Sequence, residues 1–256
     1  MLAAERRQKI KEILLKNKSI DVATLSKMLK VSDVTIRRDL DTLEEEGFLT
    51  KTYGGAILNE PSSEKGEPKY ESSEEARRIG SMASQMVKEG DVIFLSPGPI
   101  CLEIAKNIRD VKHLRVITND IIIAYELHDC INVKVSVTGG DIFENSTVLV
   151  GQMAFNNLNN IFINKAFIYV NGIDLEHGYT LDSYEEAAVL NLVIDKSQES
   201  IIVAEHDKFD KLSFVKLCDL TGIEKVVSSS EIPEEYKKFF FENSIQIYAA
   251  YGLDDL

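Results

Sequence analysis

The chain is short of cysteine and of long apolar runs, and each shortage excludes a class of protein. Its three cysteines, Cys101, Cys130 and Cys218, are far apart and odd in number, so they show neither a disulfide framework nor zinc-ligand spacing. No apolar run approaches the roughly 18–20 residues that a membrane-spanning helix needs. Charge begins at Glu5, which leaves no apolar block for a signal peptide. We therefore expect a cytoplasmic protein that does not engage a membrane.

Metal and cofactor chemistry is not expected either. His177 and His206 have no partner at the spacing of metal ligands, so we predict no metal site and no cofactor. Glu185 and Glu186 fit the first turn of a helix, where the helix dipole favours acidic residues, better than a catalytic pair.

The net charge of −13 is unevenly distributed. Residues 1–57 hold 11 Lys and Arg against 9 Asp and Glu, a balance of +2, whereas the remainder holds 18 against 33, a balance of −15. An acidic body limits non-specific binding to nucleic acid, so any DNA affinity must come from a local basic face in the first 57 residues.

Residues Ser32–Gly47 read as one helix whose start and end are both marked. Ser32 and Asp33 suit the acceptor positions of a first turn, and Gly47 suits the left-handed position after the last turn. Apolar residues recur at helical spacing on one face, at Ile36, Leu40 and Leu43. The opposite face carries Thr35, Arg37 and Arg38, which is what a helix entering a DNA major groove exposes. The alternative is an ordinary solvated helix face.

The flanking segments favour DNA binding. The pattern at Asp21–Leu29 predicts a short helix, which Lys30 and Val31 connect to the helix over Ser32–Gly47 with helix-turn-helix spacing. Glu5–Lys16 predicts a third helix. Phe48–Leu58 alternates and breaks at Gly54, so we expect two strands with a glycine tip, a wing. The predicted DNA-contacting residues are Ser32, Thr35, Arg37, Arg38, Lys51, Tyr53 and Gly54.

These motifs resemble a known family. The run T-I-R-R-D-L at Thr35–Leu40, followed by G-G-A at Gly54–Ala56, is similar to the DNA-binding domain of the DeoR family of bacterial transcriptional regulators, over residues 5–57. The resemblance implies that the partner is double-stranded operator DNA.

A change of composition divides the chain. Residues 59–74 lack an apolar period and are rich in proline, serine and charge, as is typical of a linker. The next helix is expected to run to Gly90. Strands then alternate with helices at 92–95, 114–118, 133–137, 148–151, 166–170 and 201–204, which predicts a mostly parallel sheet covered on both faces. We expect a winged helix-turn-helix domain at 1–58, a linker at 59–74 and a larger α/β domain at 75–256.

The loops that follow the predicted strands resemble those of the DeoR sensor domain, whose Rossmann-like fold is similar to ribose-5-phosphate isomerase. The family typically shows L-D-x-G-T-T, T-N, G-G, G-I-D and D-x-S-K-F. This chain has L-S-P-G-P-I from Leu95, Thr118-Asn119, Gly139-Gly140, Gly172-Ile173-Asp174 and E-H-D-K-F from Glu205. The resemblance implies a phosphorylated sugar or a related anion as effector.

Phosphate binding needs a helix start, small residues and a cation, which Gly98, the helix from about Pro99 and Lys208 would supply. The chain departs from the family at Ser96, Pro99 and Ile100, where an aspartate and two threonines are usual. Leu190 and Asn191 stand where the family often has basic residues. We expect Pro99 and Ile100 to give the effector site a larger share of apolar contacts than is usual in the family. Ordinary strand-to-helix turns are the alternative. The predicted effector residues are Ser96, Gly98, Ile100, Thr118, Asn119, Gly139, Gly140, Asp174 and Lys208.

Two classes of function remain at this point. The first is a repressor of a carbohydrate operon, released from DNA by the effector, and not an enzyme. The second is a sugar-phosphate isomerase or CoA-transferase-like enzyme that uses Asp174, Glu205 or Lys208 as acid–base groups. One short helix reads only a few base pairs, so the regulator is expected to be a homodimer or homotetramer.

Overall fold

A computed structural model of the chain describes residues 6–7, 9–11, 13–14, 19–45, 48–52, 54–58, 70, 72–144 and 146–251. The chain divides into two compact units, Met1–Glu67 and Pro68–Leu256. Most of the expected linker at 59–74 lies outside the described residues, as do Gly47 and Tyr53. At its end, the Ser73 hydroxyl accepts the Ala76 N–H and caps the first helix of the second unit.

The first unit has the predicted helix-turn-helix and wing. Residues 6–7, 9–11 and 13–14 are helical. The other elements, in chain order, are β1 (Ser19–Asp21), α1 (Val22–Leu29), α2 (Asp33–Glu45), β2 (Leu49–Lys51) and β3 (Gly55–Leu58). Asp21 caps α1 by accepting the Thr24 N–H at 2.8 Å, and Lys30 adopts a left-handed conformation (φ 54°) that turns the chain towards α2. Local chemistry therefore places the two helices next to each other.

The wing contains one strand more than predicted. Strands β2 and β3 pair antiparallel as expected, and β1 pairs with the other edge of β3, giving the order β1-β3-β2. The helices and strands enclose one apolar core, formed by Ile10, Leu14, Val22, Leu25, Leu29, Ile36, Leu40, Leu43, Leu49 and Ala56. The apolar stripe predicted for α2 is thus confirmed.

The second unit is an α/β domain. Its strands are β4 (Val92–Leu95), β5 (Leu114–Thr118), β6 (Val133–Val137), β7 (Asp141–Ile142), β8 (Leu149–Val150), β9 (Ile163–Tyr169), β10 (Gly172–Asp174), β11 (Gly178–Leu181), β12 (Ser197–Val203), β13 (Val215–Cys218), β14 (Lys225–Ser229) and β15 (Gln246–Ala250). Its α-helices are α3 (Glu74–Ser84), α4 (Pro99–Asn107), α5 (Ile121–Leu127), α6 (Gln152–Leu158), α7 (Tyr184–Lys196) and α8 (Glu234–Glu242).

Seven of these strands form one parallel sheet in the order β15-β14-β12-β9-β4-β5-β6. Alternate residues of the central strands point to opposite faces, so Phe94 and Ala166 join one core cluster while Ile93 and Phe167 join another. The predicted parallel sheet, covered on both faces, is confirmed.

Three local predictions are wrong. The segment at 148–151 does not join the large sheet, because β8 pairs antiparallel with β7 in a hairpin. The residues Gly172–Asp174, which were expected in a loop, form strand β10 in a small antiparallel sheet of order β10-β11-β13. The helix expected to reach Gly90 ends at Ser84, after which single turns lead to β4.

Candidate functional site

The start of α2 is stabilised by the two hydroxyl residues that were predicted to contact DNA. The Ser32 hydroxyl accepts the Thr35 N–H at 3.3 Å, and the two side-chain oxygens lie 3.0 Å apart. Ser32 therefore acts first as the N-cap of the helix. Its hydroxyl lies on the exposed side of the unit.

The next turn of α2 separates charge by face. Arg37 and Arg38 are both exposed, and among the described residues neither guanidinium makes an ion pair. Asp39 points inward and is only 4% exposed. It accepts hydrogen bonds from Arg6 at 2.5 Å (Nε to Oδ2) and 3.1 Å (Nη2 to Oδ1). The pair with Arg6 neutralises the buried carboxylate and leaves the two other arginines to solvent.

The wing is tied to α2 by Lys51. Its ammonium contacts Asp41 and lies 3.6 Å from Glu44, while its backbone N–H donates to Glu44 at 2.8 Å. The Lys51 hydrogen bond to Asp41 raises the pKa of the ammonium. In this structure Lys51 thus links the wing to α2 through Asp41 and Glu44.

The two glycines at the tip of the wing differ in what surrounds them. A Cβ on Gly54 would meet no atom of the described residues within 4 Å, so this position can approach another molecule closely. A Cβ on Gly55 would lie 2.3 Å from the carbonyl oxygen of Ile20, so Gly55 is required for the pairing of β1 with β3.

In the second unit, two predicted effector residues hold neighbouring strand ends together. The Ser96 hydroxyl accepts the Tyr169 N–H at 2.8 Å, which joins the ends of β4 and β9. The Thr118 hydroxyl donates to the Leu95 carbonyl at 2.8 Å, which joins β5 to β4. Both side chains are fully buried. Their hydroxyls therefore shape the edge of the sheet and are already hydrogen-bonded.

Gly98, Tyr169 and Lys208 meet at the start of α4. Gly98 is the N-cap of α4 with φ 139°, and a Cβ there would lie 2.6 Å from Cγ of Tyr169. The ring of Tyr169 therefore packs directly on the glycine. On the same ring, the Lys208 ammonium lies 5.8 Å from the centroid, within cation–π range. Lys208 also lies 3.2 Å from Asp207.

Ile100 was expected to offer apolar surface to the effector, and the structure differs from this expectation. Its side chain is fully buried in the core between the sheet and the helices, so it offers no apolar surface to a ligand in this structure. Pro99 begins α4 as predicted, at a position where the missing N–H costs no helical hydrogen bond.

Asn119 and Asp120 follow β5 and are both fully buried. The Asn119 amide donates to the Leu149 carbonyl at 3.2 Å, whereas its oxygen Oδ1 finds no hydrogen-bond partner in the described part of the chain. Asp120 caps α5 through the Ile122 N–H at 2.8 Å and accepts the Tyr70 hydroxyl at 2.5 Å. Burial raises the pKa of Asp120.

The two glycines after β6 shape the hairpin of β7 and β8. Gly139 and Gly140 have φ values of 70° and 117°, which favour glycine. A Cβ on Gly140 would lie 2.2 Å from the Val150 carbonyl oxygen, so the hairpin requires this residue. Around Gly139 the nearest atom would be 3.5 Å away, so only this glycine has room beside it.

Asp174 is the last residue of β10, and its neighbour Ile173 forms a parallel bridge with Phe209, the residue after Lys208. It lies in the small sheet, in the turn between β10 and β11, where it accepts the His177 N–H at 2.8 Å and lies 2.7 Å from His177 Nδ1. The hydrogen bond from the His177 ring lowers the pKa of this carboxyl. Its oxygen Oδ1 is therefore already engaged in the turn.

Two glutamates near the strand ends have perturbed acidity. Burial raises the pKa of Glu205, which follows β12 and contacts Tyr169. Burial, with Asp182 and Asp120 as lesser causes, raises the pKa of Glu186 in the first turn of α7 to about 7.

The structure thus brings together Ser96, Gly98 and Lys208 around Tyr169, and joins Thr118 and Asn119 to them through strand pairing of β4 with β5. Sequence reasoning missed Tyr169, Asp120 and Tyr70, since each acts through a contact 50 or more residues away in the chain. The only available signal for Tyr169 was its place at the end of a predicted strand.

The first unit has the architecture of a winged helix-turn-helix DNA-binding protein, and the second is a parallel α/β domain with polar loops at its strand ends. No helix among the described residues is long and apolar enough to cross a membrane. In the same part of the chain, no group of three His, Cys, Asp or Glu residues could hold a metal ion.

Comparison with known proteins gives the family. Residues 6–62 match the DeoR-like helix-turn-helix domain, and residues 71–230 match the DeoR C terminal sensor domain. The chain belongs to the DeoR family of DNA-binding transcriptional regulators.

Relatives align along almost the whole chain. An uncharacterized HTH-type transcriptional regulator, YulB of Bacillus subtilis, is 31% identical over 252 residues and covers 97% of both chains. GolR, an HTH-type transcriptional regulator of Listeria innocua, is 31% identical over 93% of this chain and 96% of its own. The lactose phosphotransferase system repressor of Lactococcus lactis is 30% identical over 92% and 94%.

Solved structures show more distant likenesses. Ribose 5-phosphate isomerase from Plasmodium falciparum matches with a TM-score of 0.37 and 14% identity over 52% of each chain. The eIF2B delta subunit from Chaetomium thermophilum matches with a TM-score of 0.46 and 16% identity, over 60% of this chain and 54% of that one. Likenesses at this level carry no information on activity.

Proposed function

We propose that this regulator is a cytoplasmic repressor of a carbohydrate catabolic operon, released from its operator by a phosphorylated sugar or a related anion. The observation that carries the proposal is the meeting of Gly98, the start of α4 and the Lys208 ammonium at one aromatic ring. Two relatives support it by name: the lactose phosphotransferase system repressor and the putative aga operon transcriptional repressor of Escherichia coli O157:H7, which is 29% identical.

Operator recognition is assigned to α2. Arg37 and Arg38 extend from its first turns into solvent, where a guanidinium can form a bidentate contact with guanine or a single contact with phosphate. Ser32 and Thr35 would add backbone contacts at the helix start. In the wing, Gly54 has open space for a close approach to the sugar-phosphate backbone. Lys51, which is paired with α2, and Tyr53, outside the described residues, complete the proposed interface.

Effector binding is assigned to the strand ends around Tyr169. The N-terminus of α4 and the Lys208 ammonium supply the positive potential that an anion needs. Asn119 has a buried acceptor without a partner among the described residues, and a Cβ at Gly139 would make only an ordinary contact with Asn157. Ser96, Thr118 and Gly140 act as scaffold, since their polar groups or their space are already used.

Regulation is proposed in place of enzyme catalysis. Of the three residues that an isomerase or CoA-transferase would use, Asp174 is engaged in a hairpin turn, while Glu205 and Lys208 lie near Tyr169. A turnover assay with ribose 5-phosphate separates the two functions, because conversion at enzymatic rates would overturn the regulator proposal.

The regulator is also proposed to act as a homodimer or homotetramer, since the few bases contacted by one α2 helix do not define an operator. Light scattering at micromolar concentration tests this. A monomer mass that persists with operator DNA bound would contradict it.

The decisive experiment uses a duplex selected by the protein from a random-sequence pool. Sugar phosphates are titrated against the complex of this duplex with the native chain, Lys208→Ala and Lys211→Ala. Lys211 is a matched control because its ammonium also pairs with Asp207, at 3.0 Å. The two lysines differ in exposure, since the Lys211 side chain is 55% exposed and the Lys208 side chain is 20% exposed. We expect Lys208→Ala alone to abolish release without weakening DNA binding. Release by a neutral sugar, unchanged in Lys208→Ala, would refute the anion site.

A further inference from the structure

Glu205 is a buried carboxylate whose hydrogen bonding is incomplete. It follows β12, next to Tyr169 at the end of β9, because Val203 pairs with Tyr169 in the parallel sheet. Its carbonyl oxygen accepts the Lys208 N–H at 3.1 Å, and this short turn also brings the Lys208 ammonium over the Tyr169 ring. Glu205 is only 9% exposed, and its oxygen Oε2 has no hydrogen-bond partner among the residues that the structure describes.

An unpaired acceptor on a buried charged group is costly, and most such groups in folded proteins are satisfied. The neighbours of Glu205 satisfy it only in part. Tyr169 interacts with the carboxylate and Lys208 attracts it, whereas Asp207 repels it. A donor within hydrogen-bond distance of Oε2 would therefore stabilise the carboxylate, and a molecule that enters the site can supply it.

Asn119 makes the same point three strand positions further along the sheet edge. Its amide nitrogen donates to the Leu149 carbonyl, which can only accept, so the orientation of the amide is fixed and the unpaired atom is the oxygen. Strands β9 and β4 lie between the ends of β12 and β5. At both places the atom without a partner is an acceptor, whereas a bare anion brings only more acceptors.

We propose that Glu205 is the specificity-determining residue of the effector site, and that it accepts a hydrogen bond from a hydroxyl or ammonium group carried by the anionic ligand. The inference rests on the proposed effector site and adds a second requirement to it. The cation and helix start hold the anionic group, while Glu205 rejects anions that lack a donor.

The test compares three probes on the full chain by calorimetry near neutral pH, where the amino group of an amino sugar is still charged. Methyl phosphate is an anion without a donor, ribose 5-phosphate adds hydroxyl groups, and glucosamine 6-phosphate adds an ammonium group. We expect the native chain to bind the tighter of the two sugar phosphates at least about tenfold more strongly than methyl phosphate, as one hydrogen bond to a charged group allows.

Two substitutions examine the acceptor. Glu205→Met removes the acceptor and keeps a side chain of similar length. It should reduce the preference for the sugar phosphate over methyl phosphate to about onefold, because binding of the sugar phosphate weakens and binding of methyl phosphate does not. Glu205→Gln keeps an acceptor without the charge, so it retains a hydroxyl-based preference and loses an ammonium-based one. Glu199→Gln is the matched control, because Glu199 is at the opposite end of β12 and pairs with Lys225 at 2.7 Å. If Glu205→Met does not fold by circular dichroism, Glu205→Gln and the two sugar phosphates decide.

The outcomes separate the two proposals. If Glu205→Met folds and keeps the native preference, the role of Glu205 is overturned and the anion site is left intact. If only Glu205→Gln folds, the same conclusion follows when its preference for both sugar phosphates equals that of the control and no probe binds more weakly. Methyl phosphate binding that survives Lys208→Ala, or no phosphate binding by the native chain, overturns the effector site and the Glu205 inference together.

Discussion

Arg6 and Asp39 form a two-point ion pair between residues that are 33 positions apart in the chain. Asp39 directly follows the two exposed arginines of α2, and Arg6 belongs to the N-terminal helical residues. A planar guanidinium held at two points fixes direction as well as distance. The pair therefore sets the rotation of α2, and with it the direction in which Arg37 and Arg38 extend.

Removing the charge of Asp39 should destabilise the first unit. We expect Asp39→Asn to lower its free energy of unfolding by about 1.5–3 kcal/mol, because hydrogen bonds between charged groups are lost at a position 4% exposed. Asp41→Asn, on the same helix but 50% exposed, should cost less than about 1 kcal/mol. Urea unfolding followed by circular dichroism measures both. Equal losses would show that the buried pair has no special weight.

The two arginines of α2 should differ in what their removal does to DNA binding. An alanine at a position that reads guanine costs about 1–3 kcal/mol on the operator and less on other sequences. An alanine at a phosphate contact weakens all sequences and reduces the salt slope by about one. Lys238→Ala, a 76% exposed charge in the second unit, is the control. If both arginine variants bind like the native chain over a salt titration, α2 is not the recognition helix.

Stability should fall as pH rises through the range in which Glu186 titrates. The folded state holds the Glu186 proton more tightly than the unfolded chain, because burial raises the pKa from 4.5 to about 7. Between these values the native state binds more protons, so each increase in pH favours unfolding. Glu186→Gln should reduce this slope and raise the melting temperature at neutral pH.

The control for this experiment is the neighbouring residue. Glu185→Gln changes an exposed carboxyl one position earlier in α7, so melting curves across the same pH range should keep the native slope. Asp120 and Glu205, whose pKa values are raised by burial, contribute to the slope that remains in Glu186→Gln. His206 contributes as well, since its pKa is raised, against the effect of burial, by its hydrogen bond to Glu75. Identical slopes in the two glutamine variants would mean that Glu186 titrates normally.

Gly98→Ala should damage the second unit in two ways. The new Cβ would lie 2.6–2.8 Å from three atoms of Tyr169, and the φ of 139° strains any residue with a side chain. Each effect costs about 1–3 kcal/mol. Adding Tyr169→Ala should recover part of the loss in thermal unfolding, since it removes two of the three clashing atoms. Gly90→Ala is a control with left-handed φ (82°) but open space, so it reports the backbone strain alone.

Much of the sheet could be predicted because buried parallel strands are short apolar runs. Strands β4, β5 and β6 have the predicted bounds for this reason. The same signal misplaced β8, since an apolar run does not show whether its partner is parallel or antiparallel. In β8 the pairing is set by tertiary contact, with Gly140 packed against the Val150 carbonyl.

The candidate site was predictable only where chemistry is local. The adjacent residues Gly98 and Pro99 indicate the start of a helix, and Lys208 indicates a cation. Tyr169 and Glu205 become relevant because β12 and β9 are neighbours in the sheet, and Ile100 is buried because its helix turns that face to the core. The interactions of Arg6 with Asp39 and of Tyr70 with Asp120 join residues 33 and 50 positions apart, which periodicity cannot detect.

The pairing of β4 with β9 at the centre of the sheet also has a consequence for synthesis on the ribosome. Phe94 pairs with Ala166, about 70 residues later, so translation at about 5–20 residues per second leaves β4 without this neighbour for roughly 4–14 s. The first unit needs no such delay, because its core from Ile10 to Ala56 lies within Met1–Glu67. A nascent chain therefore contains every part of its first unit several seconds before the central strands of its second unit can pair.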